Sequence, residues 1–190
     1  VSSTLSSSFE PLDSADALLA AARREGLRLV TTNADFDRSG LDFLVVHAHD
    51  EEGVPWVVRT PRRRSVVEAA RVEARVLRLV RPHLPVAVPD WRVFTDQVIA
   101  YPRLGDVPAV SVDPAAGVVW NRIDPAAPSA TFIHSFADAL AALQKVSAEA
   151  IEAAGVPRKS TDDSRAEIAR AMEETRGILA PPDVVWARWQ

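Results

Sequence analysis

An arginine and a glutamate fourteen positions apart are the two residues of this sequence best placed to act together on a ligand. Arg59 lies in the alternating stretch 55–61, which predicts a β-strand with Val57 and Arg59 on the same face. Glu73 lies in the predicted helix 65–81, with alanine, valine and leucine one turn away on either side. An unpaired carboxylate on an apolar helix face is costly, so the pattern predicts a cation beside Glu73. Arg59 is the nearest residue that offers a planar, permanently charged group.

A strand cation held by a carboxylate of the following helix is an arrangement that binds the phosphates of a nucleotide in kinases. Two plainer interpretations remain open: a purely structural ion pair, or a Glu73 side chain that reaches solvent at the helix edge. Residues 59–81 contain eight arginines against two glutamates. This local excess of positive charge suits a phosphate ligand, and it suits a solvated surface equally well.

The start and the solvated face of the helix can also be predicted. Ser65 and Glu68 form the Ser-x-x-Glu pattern of a capping box, which predicts that the helix begins at Ser65. Other charged side chains recur at spacings of three and four and predict one solvated face: Glu68, Arg71, Arg75 and Arg78.

The first hundred residues predict a mixed α+β unit. A helix capped by Asp13 or Ser14 is expected to end near Gly26. Strands are predicted over 27–32, 42–49, 54–60, 91–93 and 97–101. These strands indicate a five-stranded antiparallel sheet, with one helix inserted after the third strand.

The composition changes after this unit. Five prolines fall within residues 102–128, among mostly small side chains, which is typical of a connector. Helices are predicted over 132–151 and 162–178, and another is predicted to start at Asp183. We therefore expect a first lobe at 1–101, a hinge and connector at 102–131, and the first helices of a second lobe at 132–190.

Composition excludes several classes of function. The 190 residues are 47% hydrophobic and 25% charged, with a net charge of -4, which argues against a nucleic-acid binder despite the run Arg62-Arg63-Arg64. The sequence has no cysteine, and its four histidines lack the compact spacing of metal ligands, so we expect no metal site. It also lacks a long apolar run and a signal-peptide pattern, so we expect a cytoplasmic protein without membrane contact.

Four stretches together resemble the macrolide 2′-phosphotransferases, a group within the aminoglycoside phosphotransferase branch of the protein-kinase-like fold. The resemblance extends from about Asp13 to Gln190, including Trp186-Ala187-Arg188-Trp189-Gln190 at the end. It rests mainly on Ser39-Gly40-Leu41-Asp42-Phe43, Pro55-Trp56-Val57-Val58-Arg59-Thr60-Pro61-Arg62-Arg63, Val72-Glu73 and Ile99-Ala100-Tyr101-Pro102-Arg103-Leu104.

The resemblance implies a role for each candidate residue. Arg59 would hold the nucleotide phosphates, Glu73 would orient Arg59, and the loop ending at Gly40 would lie over the phosphates. Tyr101 would close the back of the base pocket. The expected nucleotide-binding set is Ser39, Gly40, Val57, Arg59, Glu73, Tyr101, Pro102, Arg103 and Leu104, with Pro102 to Leu104 as the hinge that touches the base.

The resemblance also implies a reaction: transfer of the γ-phosphoryl group of GTP to the desosamine 2′-hydroxyl of a macrolide antibiotic, by a monomer that uses Mg²⁺. The catalytic His-Gly-Asp segment of that family and its later magnesium-binding Asp do not occur in these 190 residues. We therefore expect no catalytic or metal-binding residue in this chain, and no activity from this chain alone. A different small-molecule kinase of the same fold and a catalytically inactive, pseudokinase-like binding module remain as alternatives.

Overall fold

The structure is a computed structural model and describes residues 9–105, 107–113, 115 and 117–176. It divides into two compact units, residues 1–156 and residues 157–190. The strands of the first unit are β1 (Leu29–Asp37), β2 (Phe43–Asp50), β3 (Pro55–Pro61), β4 (Val93–Phe94), β5 (Ile99–Pro102), β6 (Val110–Asp113) and β7 (Gly117–Trp120). Its helices are α1 (Ala15–Arg24), α2 (Arg64–Val80), α3 (Ala130–Gln144) and α4 (Ala148–Ala153). The second unit contains α5 (Thr161–Thr175).

A five-stranded antiparallel sheet dominates the first unit, in the order β1-β2-β3-β5-β4. The helix α2 follows the third strand in the chain, so the predicted sheet with one inserted helix is confirmed. The strand boundaries differ from the predicted ones by a few residues, because hydrogen bonding between strands sets the boundaries and composition does not.

Helix α1 covers one face of the sheet. The side chain of Ser14 caps its start by accepting from the Ala17 amide at 3.3 Å, and Gly26 follows its end with φ of +87°, a conformation that favours glycine. Its buried residues Leu18 and Ala22 belong to the hydrophobic core. The sheet residues of that core alternate along the strands and include Val46, Ala48, Trp56, Val58 and Ala100, with Val98 joining them just before β5.

Helix α2 lies against the opposite face, which we call the inner face. Val58 packs in the core beneath α1, whereas the next residue, Arg59, bonds to Glu73 of α2. Successive side chains of a strand point to opposite faces, so the sheet separates α1 from α2. Val57, Arg59 and Tyr101 therefore share the inner face with α2.

The capping box predicted at Ser65 and Glu68 is wrong. Helix α2 begins at Arg64, and its N-cap is Arg63, with an extended backbone and no capping bond from its side chain. The side chain of Arg63 instead reaches back to Leu41 and Asp42 before β2. Ser65 consequently lies inside the first turn of the helix.

The predicted continuous helix over 132–151 is also wrong. The chain forms α3 and α4, and the Ser147 side chain caps α4 by accepting from the Ala150 amide at 3.1 Å.

Residues 102–131 contain more than a connector, because β6 and β7 pair as an antiparallel hairpin there. Gly117, with φ of +75°, ends its turn. Among the described prolines of this region, Pro102 ends β5, and Pro108, Pro125 and Pro128 lie outside the strands.

In the second unit, α5 starts one residue before the predicted position, at a capping box that Ser160 and Asp163 form. The helix predicted to start at Asp183 lies outside the described residues. The lobe boundaries at 101/102 and 131/132 stay predictions. Across the described ranges, none of the helices has the length and apolarity needed to cross a bilayer.

Candidate nucleotide-binding site

The predicted pair of Arg59 and Glu73 forms. The Nη2 atom of Arg59 donates to Oε1 of Glu73 at 2.8 Å, and the Arg59 side chain is 14% exposed against 40% for Glu73. The bond joins the middle of β3 to the middle of α2. A permanently charged group is thus held on the inner face by a carboxylate that remains partly hydrated.

Three aromatic rings surround the Arg59 guanidinium. Its central carbon lies 4.3 Å from the ring centroid of Phe43, 4.8 Å from that of Trp91 and 5.7 Å from that of Tyr101. Cation–π contacts at these distances hold a guanidinium in one plane while they exclude water. The Nε atom of Arg59 is buried and has no hydrogen-bond partner within the described residues. The cation is therefore contacted on several sides, and its buried Nε donor is unused within the described residues.

Tyr101 also lines a cleft on the same face. The residues His47, Val57 and Tyr101 are direct cross-strand neighbours on β2, β3 and β5 and form a row across the sheet. This row and the segment after β5 line a cleft of about 530 Å³, which we call the hinge cleft. Burial raises the pKa of the Tyr101 phenol, with Arg59 acting in the opposite direction and Glu73 in the same direction. Tyr101 thus stays neutral at physiological pH.

The predicted hinge borders this cleft. The Arg103 amide donates to the Pro55 carbonyl at 2.8 Å, which continues the pairing of β3 with β5 past Pro102. The next residue, Leu104, lines the hinge cleft with its side chain 53% exposed. The Arg103 amide is already used in the sheet, so Leu104 provides the first backbone amide beyond the sheet pairing.

The predicted phosphate loop connects β1 and β2. The Ser39 amide donates to the Asp37 carboxylate at 2.8 Å. Hydrogen bonds from the side chain of Ser39 first, and from its backbone second, lower the pKa of Asp37. Gly40 is required by a close approach, since a Cβ there would lie 2.7 Å from the carbonyl oxygen of Phe43. The loop thus runs into Phe43, whose ring touches Arg59.

Two arginines that follow β3 hold this loop. Arg62 donates to the carbonyl of Arg38, and Arg63 donates to the Leu41 carbonyl at 3.2 Å and to the Asp42 carboxylate at 2.5 Å. Arg63 is also the N-cap of α2. Hydrogen bonds of Arg62 and Arg63 therefore connect the loop to the end of β3 and to the start of α2.

The structure brings most of the predicted site residues onto one face. Val57, Arg59, Glu73 and Tyr101 meet on the inner face, and Leu104 borders the same cleft. Gly40 connects to this group through Phe43, whose ring contacts Arg59, and Ser39 precedes Gly40 in the loop.

Sequence reasoning did not single out Phe43, His47 and Trp91. Phe43 and His47 lie on the same alternating face of β2, which is a detectable signal, whereas Trp91 comes close only through the fold.

A second cleft, of about 330 Å³, lies between α2 and residues 89–94. Its charged groups largely pair with each other, since Asp90 forms ion pairs with Arg81 and Arg92. Trp91 lines this cleft and also contacts Arg59. The hinge cleft is the better candidate for a ligand site because it contains the cross-strand row and the hinge.

Metal ligands are not assembled in this part of the fold. Within the ranges that the structure describes, no three His, Asp or Glu side chains come together as they would around a metal ion. The described residues thus provide no three-ligand protein site for a metal ion, and no role of the site depends on one here.

Comparisons with known proteins give a consistent result. A family model described as APH, phosphotransferase enzyme family, matches residues 34–190. The uncharacterized protein YcbJ of Bacillus subtilis (strain 168) is 37% identical over 174 residues, which cover 91% of this chain and 56% of YcbJ.

Two solved structures are similar as well. The macrolide 2′-phosphotransferase MphH of Brachybacterium faecium, solved as the apoenzyme, is 38% identical with a TM-score of 0.72, over 87% of this chain and 55% of MphH. A macrolide 2′-phosphotransferase type I is 34% identical with a TM-score of 0.75, over 96% of this chain and 60% of that protein. The chain thus spans between half and two thirds of the length of each of these proteins.

Proposed function

The chain belongs to the phosphotransferase enzyme family, and from its site we propose that it is the nucleotide-binding part of a GTP-dependent macrolide 2′-phosphotransferase. The observation that carries the proposal is the 2.8 Å bond between Arg59 and Glu73 on the face that also forms the hinge cleft. Similarity to MphH and to the type I enzyme supports the macrolide as acceptor.

In this proposal, different residues of the inner face bind different parts of the nucleotide. Arg59, fixed by Glu73 and three rings, binds the phosphates through its guanidinium. The loop through Ser39 and Gly40 covers the phosphates from the β1–β2 end. The base lies in the hinge cleft against Val57 and Tyr101, with the Leu104 backbone at its edge.

GTP supplies the γ-phosphoryl group, and the protein supplies position and charge. Arg59 offers a preorganised cation that needs no reorganisation when negative charge develops. The base that accepts the proton of the macrolide 2′-hydroxyl and the Mg²⁺ ligands are proposed to lie outside these 190 residues. The proposed enzyme is a cytoplasmic monomer that confers resistance by inactivating the macrolide.

The test measures binding and transfer separately. GTP and ATP are titrated into the 190-residue chain by calorimetry, and transfer of radiolabelled γ-phosphate to erythromycin is measured with this chain and with its full reading frame. We expect GTP to bind more tightly than ATP, and only the longer protein to phosphorylate the macrolide. ATP binding as tight as GTP contradicts the guanine assignment.

The two alternatives predict a different result from the proposed function in the same assay, because neither transfers phosphate to erythromycin. A kinase for another small molecule would bind nucleotide through Arg59 and leave erythromycin unmodified in every length of chain. A pseudokinase-like module would bind nucleotide without any transfer. Turnover by the 190-residue chain itself would show that its residues already include the catalytic base.

A further inference from the structure

His47 is a polar residue of the hinge cleft to which no role has been given so far. It lies on β2 directly opposite Val57, which in turn lies opposite Tyr101. Its side chain lines the cleft, and its Nδ1 atom is buried without a hydrogen-bond partner within the described residues. A buried ring nitrogen without a partner costs least when it carries no proton.

The row of His47, Val57 and Tyr101 has the dimensions of a base-binding surface. Neighbouring strands lie about 4.8 Å apart, so three residues in one row extend across about 10 Å. That length covers a fused two-ring base. Two of the three side chains are aromatic rings, and flat aromatic side chains stack on nucleobases with little dependence on sequence.

The charged groups around His47 come from two sides. Burial and the nearby Arg103 lower the pKa of the imidazole, whereas Asp35 and Asp37 of β1 act in the opposite direction. The neighbour on β3 is the apolar Val57. A base that covers the ring would remove water from it and leave a charged imidazole beside Arg103.

We propose that neutral His47 forms the outer end of the surface on which the nucleotide base stacks, and that its protonation weakens nucleotide binding. The proposal rests on the proposed function and adds a contact and a pH dependence to the same site. The direction of the pH dependence follows from the form of His47 that binds nucleotide. The neutral form predominates above the pKa of His47, so nucleotide affinity is highest above that pKa. It decreases as pH falls below that pKa, by up to about tenfold per pH unit, because one proton must be lost on binding.

The experiment compares variants of the 190-residue chain at each pH. GTP affinity is measured from pH 8 to pH 5 for the wild type and for His47→Phe, His47→Gln, His47→Ala and Arg59→Ala. The terminal phosphate of GTP also titrates in this range. The affinity of each variant is therefore divided by the affinity of the wild type at the same pH, which cancels the effect of the phosphate. His49→Gln is the matched control, because His49 lies two residues further along β2 and is exposed.

We expect His47→Phe to bind like the wild type at pH 8 and more tightly than it at pH 5, because stacking remains and no proton is taken up. His47→Ala should lose about tenfold in affinity at pH 8. His47→Gln should lose the acid sensitivity, and His49→Gln should keep it. Urea melts of each variant exclude unfolding as the cause.

Two results would separate failure of this proposal from failure of the proposed function. If Arg59→Ala abolishes binding while the His47 variants keep wild-type affinity and wild-type pH dependence, the role of His47 is refuted and the proposed function stands. If Arg59→Ala binds nucleotide as tightly as the wild type, or if the wild type binds no nucleotide, both the role of His47 and the proposed function are refuted.

Discussion

The guanidinium of Arg59 and the carboxylate of Glu73 form a 2.8 Å bond in which the cation is far more buried than the anion, 14% against 40% exposed. Loss of Glu73 therefore leaves a charge with little access to water, whereas loss of Arg59 leaves a carboxylate that water can still reach. The pair is thus a coupled unit, and its coupling can be measured.

We predict that Arg59→Ala and Glu73→Ala are non-additive. In urea melts the double variant should be less destabilised than the sum of the single variants, by about 1 kcal/mol. The reason is that Glu73→Ala strands the buried Arg59 cation, whereas the double variant removes that cation as well. Agreement with the sum to within about 0.5 kcal/mol would show that the two residues are independent.

Gly40→Ala should destabilise the loop between β1 and β2. The added Cβ would lie 2.7 Å from the Phe43 carbonyl oxygen, which is too close for any carbon, so the loop or the start of β2 must move. We expect a loss of about 1–3 kcal/mol in the free energy of unfolding, measured by urea melts. Gly105→Ala is the matched control, because a Cβ there meets nothing within 4 Å and it should be tolerated.

Acid should loosen the hairpin between β2 and β3 through Asp50. The indole Nε1 of Trp56 donates to this carboxylate at 2.9 Å, and the Glu52 and Val54 amides donate to it at 3.0 and 2.8 Å. These bonds, the Trp56 bond first, lower the pKa of Asp50 from its ordinary value of 3.8. A carboxyl with a depressed folded-state pKa contributes stability that is present above 3.8 and is lost as pH falls through the folded-state pKa.

The measurement for Asp50 is the free energy of unfolding between pH 6 and pH 2. The wild type should lose more stability over this interval than Asp50→Asn, which cannot titrate at that position. Parallel pH profiles for the two proteins would contradict a role for Asp50. Asp13→Asn is a suitable control, since Asp13 is exposed and lies before α1, outside the hairpin.

Local sequence patterns predicted the inner face well. Alternation along β3 put Val57 and Arg59 together, and the apolar surroundings of Glu73 required a cation, which the fold supplies. Both deductions depend on geometry within one strand or one helix. They hold because the nearest elements in the chain are also neighbours in space.

Residues brought in from a distance could not be predicted in this way. Trp91 reaches Arg59 only because β4 pairs at the far edge of the sheet, and a contact of that kind leaves no periodic signal. The cap of α2 was misplaced for the same reason, since Arg63 bonds to a loop more than twenty residues earlier. His47 acquires its place in the cleft from the register of β2 on β3.

The hinge gives the last prediction, that Leu104→Pro weakens GTP binding far more than Leu104→Ala. The Arg103 amide already bonds to the Pro55 carbonyl, so under the proposed function we expect the base to use the amide of Leu104, which proline lacks. The Leu104 side chain is 53% exposed, so its truncation to alanine should change the affinity little.

Calorimetric titration of GTP into both variants measures this effect, and urea melts identify any general loss of folding. Proline also restricts the residue before it, so the bond from Arg103 to Pro55 must be shown to persist in Leu104→Pro by protection of the Arg103 amide against hydrogen exchange. With that bond intact, a loss of affinity assigns the missing amide to the base. An equal loss in Leu104→Ala would show that the side chain, and not the backbone, makes the contact.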